Sequence, residues 1–212
     1  MGRSIFEIFL SIPAILIAFT AKEYIRARVA YNLGDKAQKL QGRMTLDPFA
    51  HIDLIGFILI ALVGFGWSKP VEINRYAFKK PKEDSIKVTL AAFSSYLIVA
   101  FIASVLFYIV TFTGIANNDL GTILALVLQY TAMVNISLFV FNFIPMPGLE
   151  MHTLLSEFSP STAYKISMFT AQYQLFILIA IVVLAKYILA IPVAVVSAFI
   201  SKLALLLVGI FL

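Results

Sequence analysis

The sequence contains no cysteine and only two histidines among its 212 residues. Without cysteine, a disulfide framework, a thiolate metal site and a cysteine nucleophile are all excluded. Charge is also scarce, because Asp, Glu, Lys and Arg together make up 13% of the chain while 61% of it is hydrophobic. This balance lies far outside that of an average soluble domain and indicates an integral membrane protein. The net charge of +5 fits loop residues that set membrane orientation better than a surface for nucleic acid.

Long apolar stretches predict five membrane-spanning helices in one integral membrane domain, residues 1–212. The predicted spans are residues 4–31, 86–113, 120–144, 166–187 and 191–212. Pro13 predicts a kink in the first span, and Gly34 predicts its end. The region 31–87 is rich in Lys and Arg, so we expect it on the cytoplasmic side of a plasma membrane, with the lipid bilayer as the surrounding partner.

A shorter apolar run, residues 54–66, contains three glycines and is too short to cross a hydrocarbon core of about 30 Å as a helix. Both of its flanks are basic, so the run is predicted to enter and leave the membrane by the same face. The sequence KPVEINRYAF after it alternates in a way that favours a short strand or hairpin. A re-entrant or β-hairpin segment is therefore expected at about residues 54–75.

The most specific local pattern is NFIPMPGLEM, residues 142–151, at the end of a predicted span. Two prolines at that point unwind the helix and free backbone groups. The pattern resembles the Asn-x-x-Pro-x-Pro-x-x-Asp-Gly segment of site-2 proteases, which are intramembrane zinc metalloproteases. Asn142, Pro145 and Pro147 stand in the matching positions.

Further strings resemble the shorter members of that family, which lack a PDZ domain: LGD at 33–35, GRMTLDP at 42–48, AHID at 50–53 and FGWSKPV at 65–71. None is specific alone, but together with the double-proline segment they cover most of the first 155 residues. The resemblance implies an all-α polytopic membrane fold. Its site-2 protease-like core would occupy about residues 1–160, followed by C-terminal helices at about 161–212.

The catalytic positions depart from the family pattern. The family carries His-Glu-x-x-His on a membrane helix, where the two histidines bind zinc and the glutamate is the general base. Here those positions hold Lys22, Glu23 and Arg26, and the family's third ligand, an aspartate, falls on Glu150. The asparagine of the family's Gly-Pro-x-x-Asn falls on Tyr96. Arginine is never deprotonated in a protein, and a lysine beside it would need a large pKa shift, so neither is expected to bind zinc.

Lys22 and Arg26 lie one helical turn apart and would bring two positive charges to the place where the family binds its ion. We predict an ion-paired cluster of Lys22, Arg26, Glu23 and Glu150, with Glu23 an inactive counterpart of the general base and no bound metal. Two other interpretations stay open. The charges could form an interfacial anchor that reaches the headgroups, or a cluster used for transport or proton relay.

The sequence thus predicts an inactive site-2 protease homologue that needs no cofactor and holds or regulates a membrane protein. Its partner would be the transmembrane segment of another protein, or an active homologue, and not a nucleic acid. The alternative is an active zinc-dependent intramembrane protease with relocated ligands. That site would use His51, His152 and Glu150, with Glu23 as the base and zinc as the cofactor.

The remaining candidates are scaffold residues and a substrate-binding segment. His51 and Asp53 belong to the AHID string, and His51 is expected to brace the re-entrant segment through hydrogen bonds. Trp67 is the only tryptophan and is typical of an interfacial anchor. The residues Trp67, Ser68, Lys69, Pro70 and Val71 resemble the family's edge strand, which takes up an unwound substrate by strand addition. A plain surface hairpin is an equally open interpretation.

Overall fold

The computed structural model describes residues 5–63 and 66–211. Its α-helices are α1 Ile5–Leu33, α2 Ala37–Leu40, α3 Leu54–Val63, α4 Pro81–Phe112, α5 Asp119–Phe141, α6 Glu150–Phe158, α7 Pro160–Gln172 and α8 Gln174–Phe211. Three single-turn 3₁₀-helices lie at Pro48–His51, Arg75–Ala77 and Ile115–Asn117. Every regular element in the described ranges is helical, which confirms the all-α prediction.

Among the described residues, four stretches of helix are long and apolar enough to cross a membrane: Ile5–Leu33, Pro81–Phe112, Asp119–Phe141 and Tyr187–Phe211. A fifth span exists if Pro160–Gln172 and Gln174–Ile181, which meet at a 90° bend, count as one broken span. The chain is therefore a polytopic membrane protein. The first span ends where predicted, because Gly34 adopts a φ of +127°, which a residue with a side chain rarely adopts.

The buried core lies where α1, α4 and α5 meet. Ala14 and Ala18 of α1 are fully buried and bring its backbone close to the neighbouring helices. Tyr96 of α4 and Leu138 of α5 belong to the same buried cluster. The short helix α3 adds Ile60 to this cluster, so it inserts between longer helices without crossing the protein.

Two glycines bring the entry to α3 and the chain that follows it into backbone contact. A Cβ on Gly56 would lie 2.0 Å from the Trp67 carbonyl oxygen, and a Cβ on Gly66 would lie 2.0 Å from the Gly56 carbonyl oxygen. The chain therefore comes back beside the start of α3, as the re-entrant prediction requires. Residues 64 and 65, at the tip of the predicted segment, lie outside the described ranges.

The expected strand or hairpin after this turn is not found in the described chain, because residues 66–74 have no regular structure. We call residues 66–74 the return segment. Its backbone N–H groups bond to side chains and loop carbonyls instead of a partner strand. Val71 N donates to Glu23 Oε2 over 2.9 Å, and Asn74 N donates to Asp35 Oδ2 over 2.9 Å.

The C-terminal spans also differ from the prediction. The helix expected at 166–187 ends at Gln172, and the break expected between 187 and 191 lies inside the continuous helix α8. Pro192 is within that helix. A proline is tolerated in a membrane helix where neighbouring groups replace the lost backbone bond. Leu212, the predicted end, lies outside the described residues.

Candidate functional site

The second half of α1 carries three charged side chains that the fold buries. Lys22 and Arg26 lie one turn apart on the same face, and Glu23 has no exposed surface at all. All three lie in the C-terminal half of the membrane-spanning helix α1.

The fourth charge comes from the break after α5. Asn142 ends α5, and its side-chain Nδ2 donates to the Leu138 carbonyl over 2.8 Å. Its Oδ1 accepts from the backbone N–H of Glu150 over 3.3 Å, and its carbonyl accepts from Met151 over 3.1 Å. Gly148, with a φ of +90°, makes the turn between them. Asn142 thus fixes the first turn of α6, from which Glu150 reaches α1.

The structure brings Lys22, Glu23, Arg26 and Glu150 together, and we call these four residues the charge cluster. Lys22 Nζ lies 2.8 Å from Glu150 Oε1 and 2.7 Å from Glu23 Oε1. Arg26 Nη1 lies 2.7 Å from Glu150 Oε2. These separations are within the range of strong charge coupling that the sequence interpretation required.

The return segment closes the other side of the cluster. Ser68 Oγ donates to Glu23 Oε1 over 2.5 Å, and the Val71 N–H donates to Glu23 Oε2. Both residues are buried, whereas Lys69 and Pro70 between them are exposed. Glu23 therefore links α1 to the return segment, and Glu150 links α1 to α6.

The cluster contains two cations and two carboxylates, so its charges balance. Buried charges in a membrane protein are costly unless they are paired, and here each charge has an opposite charge within 3 Å. Burial alone would raise the pKa of the Glu150 carboxyl, but the Lys22 and Arg26 cations outweigh burial and hold its pKa below the usual value.

The other site residues lie at different distances from the cluster. Tyr96 is buried in the core cluster that also contains Leu138 of α5. His51 is buried, its Nε2 is 2.9 Å from the Thr45 carbonyl, and its own carbonyl accepts from Lys69 N over 2.9 Å. The His51 side chain thus bonds the preceding loop, and its backbone carbonyl bonds the return segment. Asp53 Oδ1 accepts from Gly56 N over 2.8 Å at the start of α3.

His152 does not join Glu150. Its Nε2 lies 2.9 Å from Ser167 Oγ, so it links α6 to α7. The relocated site of His51, His152 and Glu150 is therefore not assembled. In the described ranges, no three His, Asp, Glu or Cys side chains converge closely enough to hold a metal ion.

Sequence reasoning missed the partners of Glu23. Ser68 and Val71 were assigned to a substrate strand, yet one hydroxyl and one backbone N–H of that segment bind the carboxylate. No local pattern indicated these contacts, because Ser68 and Val71 are 45 and 48 residues from Glu23 in sequence. An ion pair between Arg75 and Glu157, with 3.0 Å from Nη2 to Oε2, was also unforeseen.

Comparison with known proteins decides the family. The Bacillus subtilis (strain 168) protein named "Putative zinc metalloprotease YwhC" is 36% identical to this chain over 151 residues, which cover 69% of this chain and 67% of that protein. The chain belongs to the site-2 protease-like family. This confirms the relationship that the segment 142–151 predicted, whereas the PDZ-less subgroup stays a prediction. No family model and no solved structure matches the chain.

The family resemblance implies a zinc ion among residues 22, 26 and 150. Zinc binds lone pairs, whereas the Lys22 ammonium and the Arg26 guanidinium only donate hydrogen bonds. Both direct their N–H groups at the Glu150 carboxylate, the one zinc-binding type among the three. The residues present at these positions of this site-2 protease-like chain therefore do not fit a zinc ion.

Proposed function

We propose that this chain is an inactive site-2 protease homologue, a pseudoprotease, that holds or regulates a membrane protein partner. The observation that carries the proposal is the position of Glu150, with Lys22 and Arg26 both within 2.8 Å of its oxygens. In this reading Glu23 and Glu150 correspond to the family's base and third ligand. The two side-chain cations replace the histidines and the ion they would bind.

The charge balance of the site supports the replacement of two histidines and a zinc ion by Lys22 and Arg26. A zinc ion with two neutral histidines is a dication, and the two carboxylates of the family pattern offset it. Lys22 and Arg26 together supply the same two positive charges, and Glu23 and Glu150 again offset them. The ion pairs and hydrogen bonds that join α1 to α6 and to the return segment are therefore kept without a metal ion. Without a Lewis acid to activate water, the scaffold is retained and the hydrolytic chemistry is not.

The proposed partner is the transmembrane segment of another protein or an active homologue. Lys69 and Pro70 are exposed on the return segment, next to the two residues that bind Glu23. This segment resembles the family's substrate-binding strand, so it is the surface on which we place the partner. The proposed setting is the plasma membrane, with the basic region 31–87 on the cytoplasmic side.

The test is the zinc content and proteolytic activity of the purified protein. Wild-type protein should hold less than about 0.1 zinc per chain and leave a model transmembrane substrate intact. The triple variant Lys22→His, Arg26→His, Glu150→Asp should recover about one zinc per chain, because it restores the ligand set of the family. The matched control changes Arg75→His, Lys80→His and Glu83→Asp on the surface and should gain none.

One result would replace the proposal with its alternative. Wild-type protein that holds about one zinc per chain, loses the zinc on Glu150→Gln and loses peptide-bond cleavage on Glu23→Gln would be an active zinc-dependent protease. A photo-crosslinker placed at Pro70 tests the partner surface. It should attach to an apolar segment of at least about 18 residues, while the same group at Lys79 should not.

A further inference from the structure

An open pocket of about 480 Å³ lies between the loop after α2 and the return segment. Its lining residues are Gln41, Gly42, Arg43, Phe49, Ala50 and Lys69, and we call these six residues the basic pocket. Two of the six are cations and none is acidic. Such a pocket favours an anion.

The fold fixes the Arg43 side chain and the Lys69 backbone. Arg43 Nη1 donates over 2.7 Å to the carbonyl of Ala50, another lining residue. The Lys69 backbone N–H donates to the His51 carbonyl, and His51 is itself fixed by Thr45. Two chain segments far apart in sequence therefore present one positive charge each to the same space. A planar guanidinium together with an ammonium suits phosphate oxygens.

Two acidic residues of the loop accept backbone hydrogen bonds. Asp47 Oδ1 accepts from Phe49 N over 3.0 Å, and Asp53 Oδ1 accepts from Gly56 N. Each carboxylate caps the start of a short helix, which leaves Arg43 and Lys69 without an ion pair in the described structure. An anionic ligand would supply the missing negative charge.

One exposed apolar side chain lines the pocket, and others are exposed near it in the sequence. Phe49, a lining residue, is 79% exposed, and Leu46, Leu54 and Ile55 are also exposed. The opposite face of α3 is buried, since Ile60 and Ala61 pack in the core. In water these four side chains would form a costly patch, whereas acyl chains would cover them. The ligand is therefore apolar on one side and anionic on the other.

The pocket belongs to the basic region 31–87, which we place at the cytoplasmic face of the membrane. Lys69 follows Ser68, whose hydroxyl bonds Glu23 of the membrane-spanning helix α1. Basic side chains at a membrane face attract anionic headgroups. We propose that the basic pocket binds the phosphate of an anionic phospholipid, with the lipid's acyl chains against Phe49 and the start of α3. This site does not depend on whether the chain cleaves peptide bonds.

The experiment measures lipid retention by the full chain. Protein in nanodiscs that contain equal parts of phosphatidylcholine and phosphatidylglycerol is released into neutral detergent, and bound lipids are counted by native mass spectrometry. Wild-type protein should retain phosphatidylglycerol in preference to phosphatidylcholine. Arg43→Gln or Lys69→Gln should weaken that binding about fivefold, and the double variant about twenty-five-fold. Lys79→Gln, which removes one exposed charge outside the pocket, is the matched control and should change it less than twofold.

Three outcomes would overturn the proposal. Lys79→Gln could reduce retention as much as Arg43→Gln does, which would mean that surface charge in general attracts the lipid. The double variant could retain as much phosphatidylglycerol as wild type. Inorganic phosphate at millimolar concentration could displace the lipid completely while Phe49→Ser has no effect, which would identify a site for free phosphate. Incomplete displacement by phosphate and a loss of lipid on Phe49→Ser would support the lipid.

Discussion

Arg26 and Glu150, 124 residues apart in sequence, meet through a single nitrogen that lies 2.8 Å from Oε1 and 2.7 Å from Oε2 of the carboxylate. Lys22 reaches Oε1 of the same carboxylate. Glu150 thus forms ion pairs with two buried cations at once. Removing its charge would leave both cations with less compensation in a place that water barely enters.

Glu150→Gln should lower the free energy of unfolding by about 3 to 5 kcal/mol, the usual cost of breaking a buried ion pair from one side. The measurement is denaturant unfolding of the purified protein in detergent. Glu83→Gln is the control, because the pair of Lys80 and Glu83 is exposed and should contribute about 0 to 1 kcal/mol. Equal effects of the two substitutions would show that the cluster does not hold the fold.

Ser68→Ala should lower the free energy of unfolding by about 1.5 to 3 kcal/mol, because its hydroxyl donates to a charged acceptor. The loss should shrink when Glu23 is already Gln, and a double-mutant cycle measures that coupling. Ser95→Ala is the matched control. Ser95 is also buried, but its hydroxyl bonds only the Ala92 carbonyl of its own helix. Strict additivity of Ser68→Ala and Glu23→Gln would contradict the contact.

Gly56→Ala should push the return segment away from α3, because the new Cβ would lie 2.0 Å from the Trp67 carbonyl oxygen. The fluorescence of Trp67, the only tryptophan, reports this movement directly as a change in emission wavelength and quenching. Gly209→Ala in α8 has open space around its Cβ and should leave the emission unchanged. An unchanged spectrum for Gly56→Ala would mean that the two backbones do not touch.

The sequence was informative wherever a residue type allows few conformations or few partners. Gly34 predicted the end of α1, and the length of the apolar run after Asp53 predicted a helix that does not cross. The pairing of Lys22 and Arg26 with Glu150 followed from the cost of leaving buried charges unpaired, and the structure brings these residues together. Such inferences depend on local backbone geometry or on the large free-energy cost of an unpaired buried charge.

Other features depended on which of several possible partners a group binds, and the sequence alone does not show that choice. Alternation in residues 69–78 favoured a strand, but the N–H groups of Val71 and Asn74 found carboxylates instead. His152 lies only two residues after Glu150, yet its position on the first turns of α6 directs it to Ser167. The continuity of α8 through Pro192 likewise depends on neighbours that no local pattern encodes.

The balance of charge in the cluster affects how the protein matures. A scaffold that needs an ion to fold is complete only when the cell supplies that ion, and its yield follows metal availability. Here the chain supplies these charges itself. The cations Lys22 and Arg26 lie on α1, and the carboxylate of Glu150 that pairs with both lies on α6. We expect its assembly to proceed equally well in zinc-starved and zinc-replete cells, and a chelator to leave the assembled protein intact.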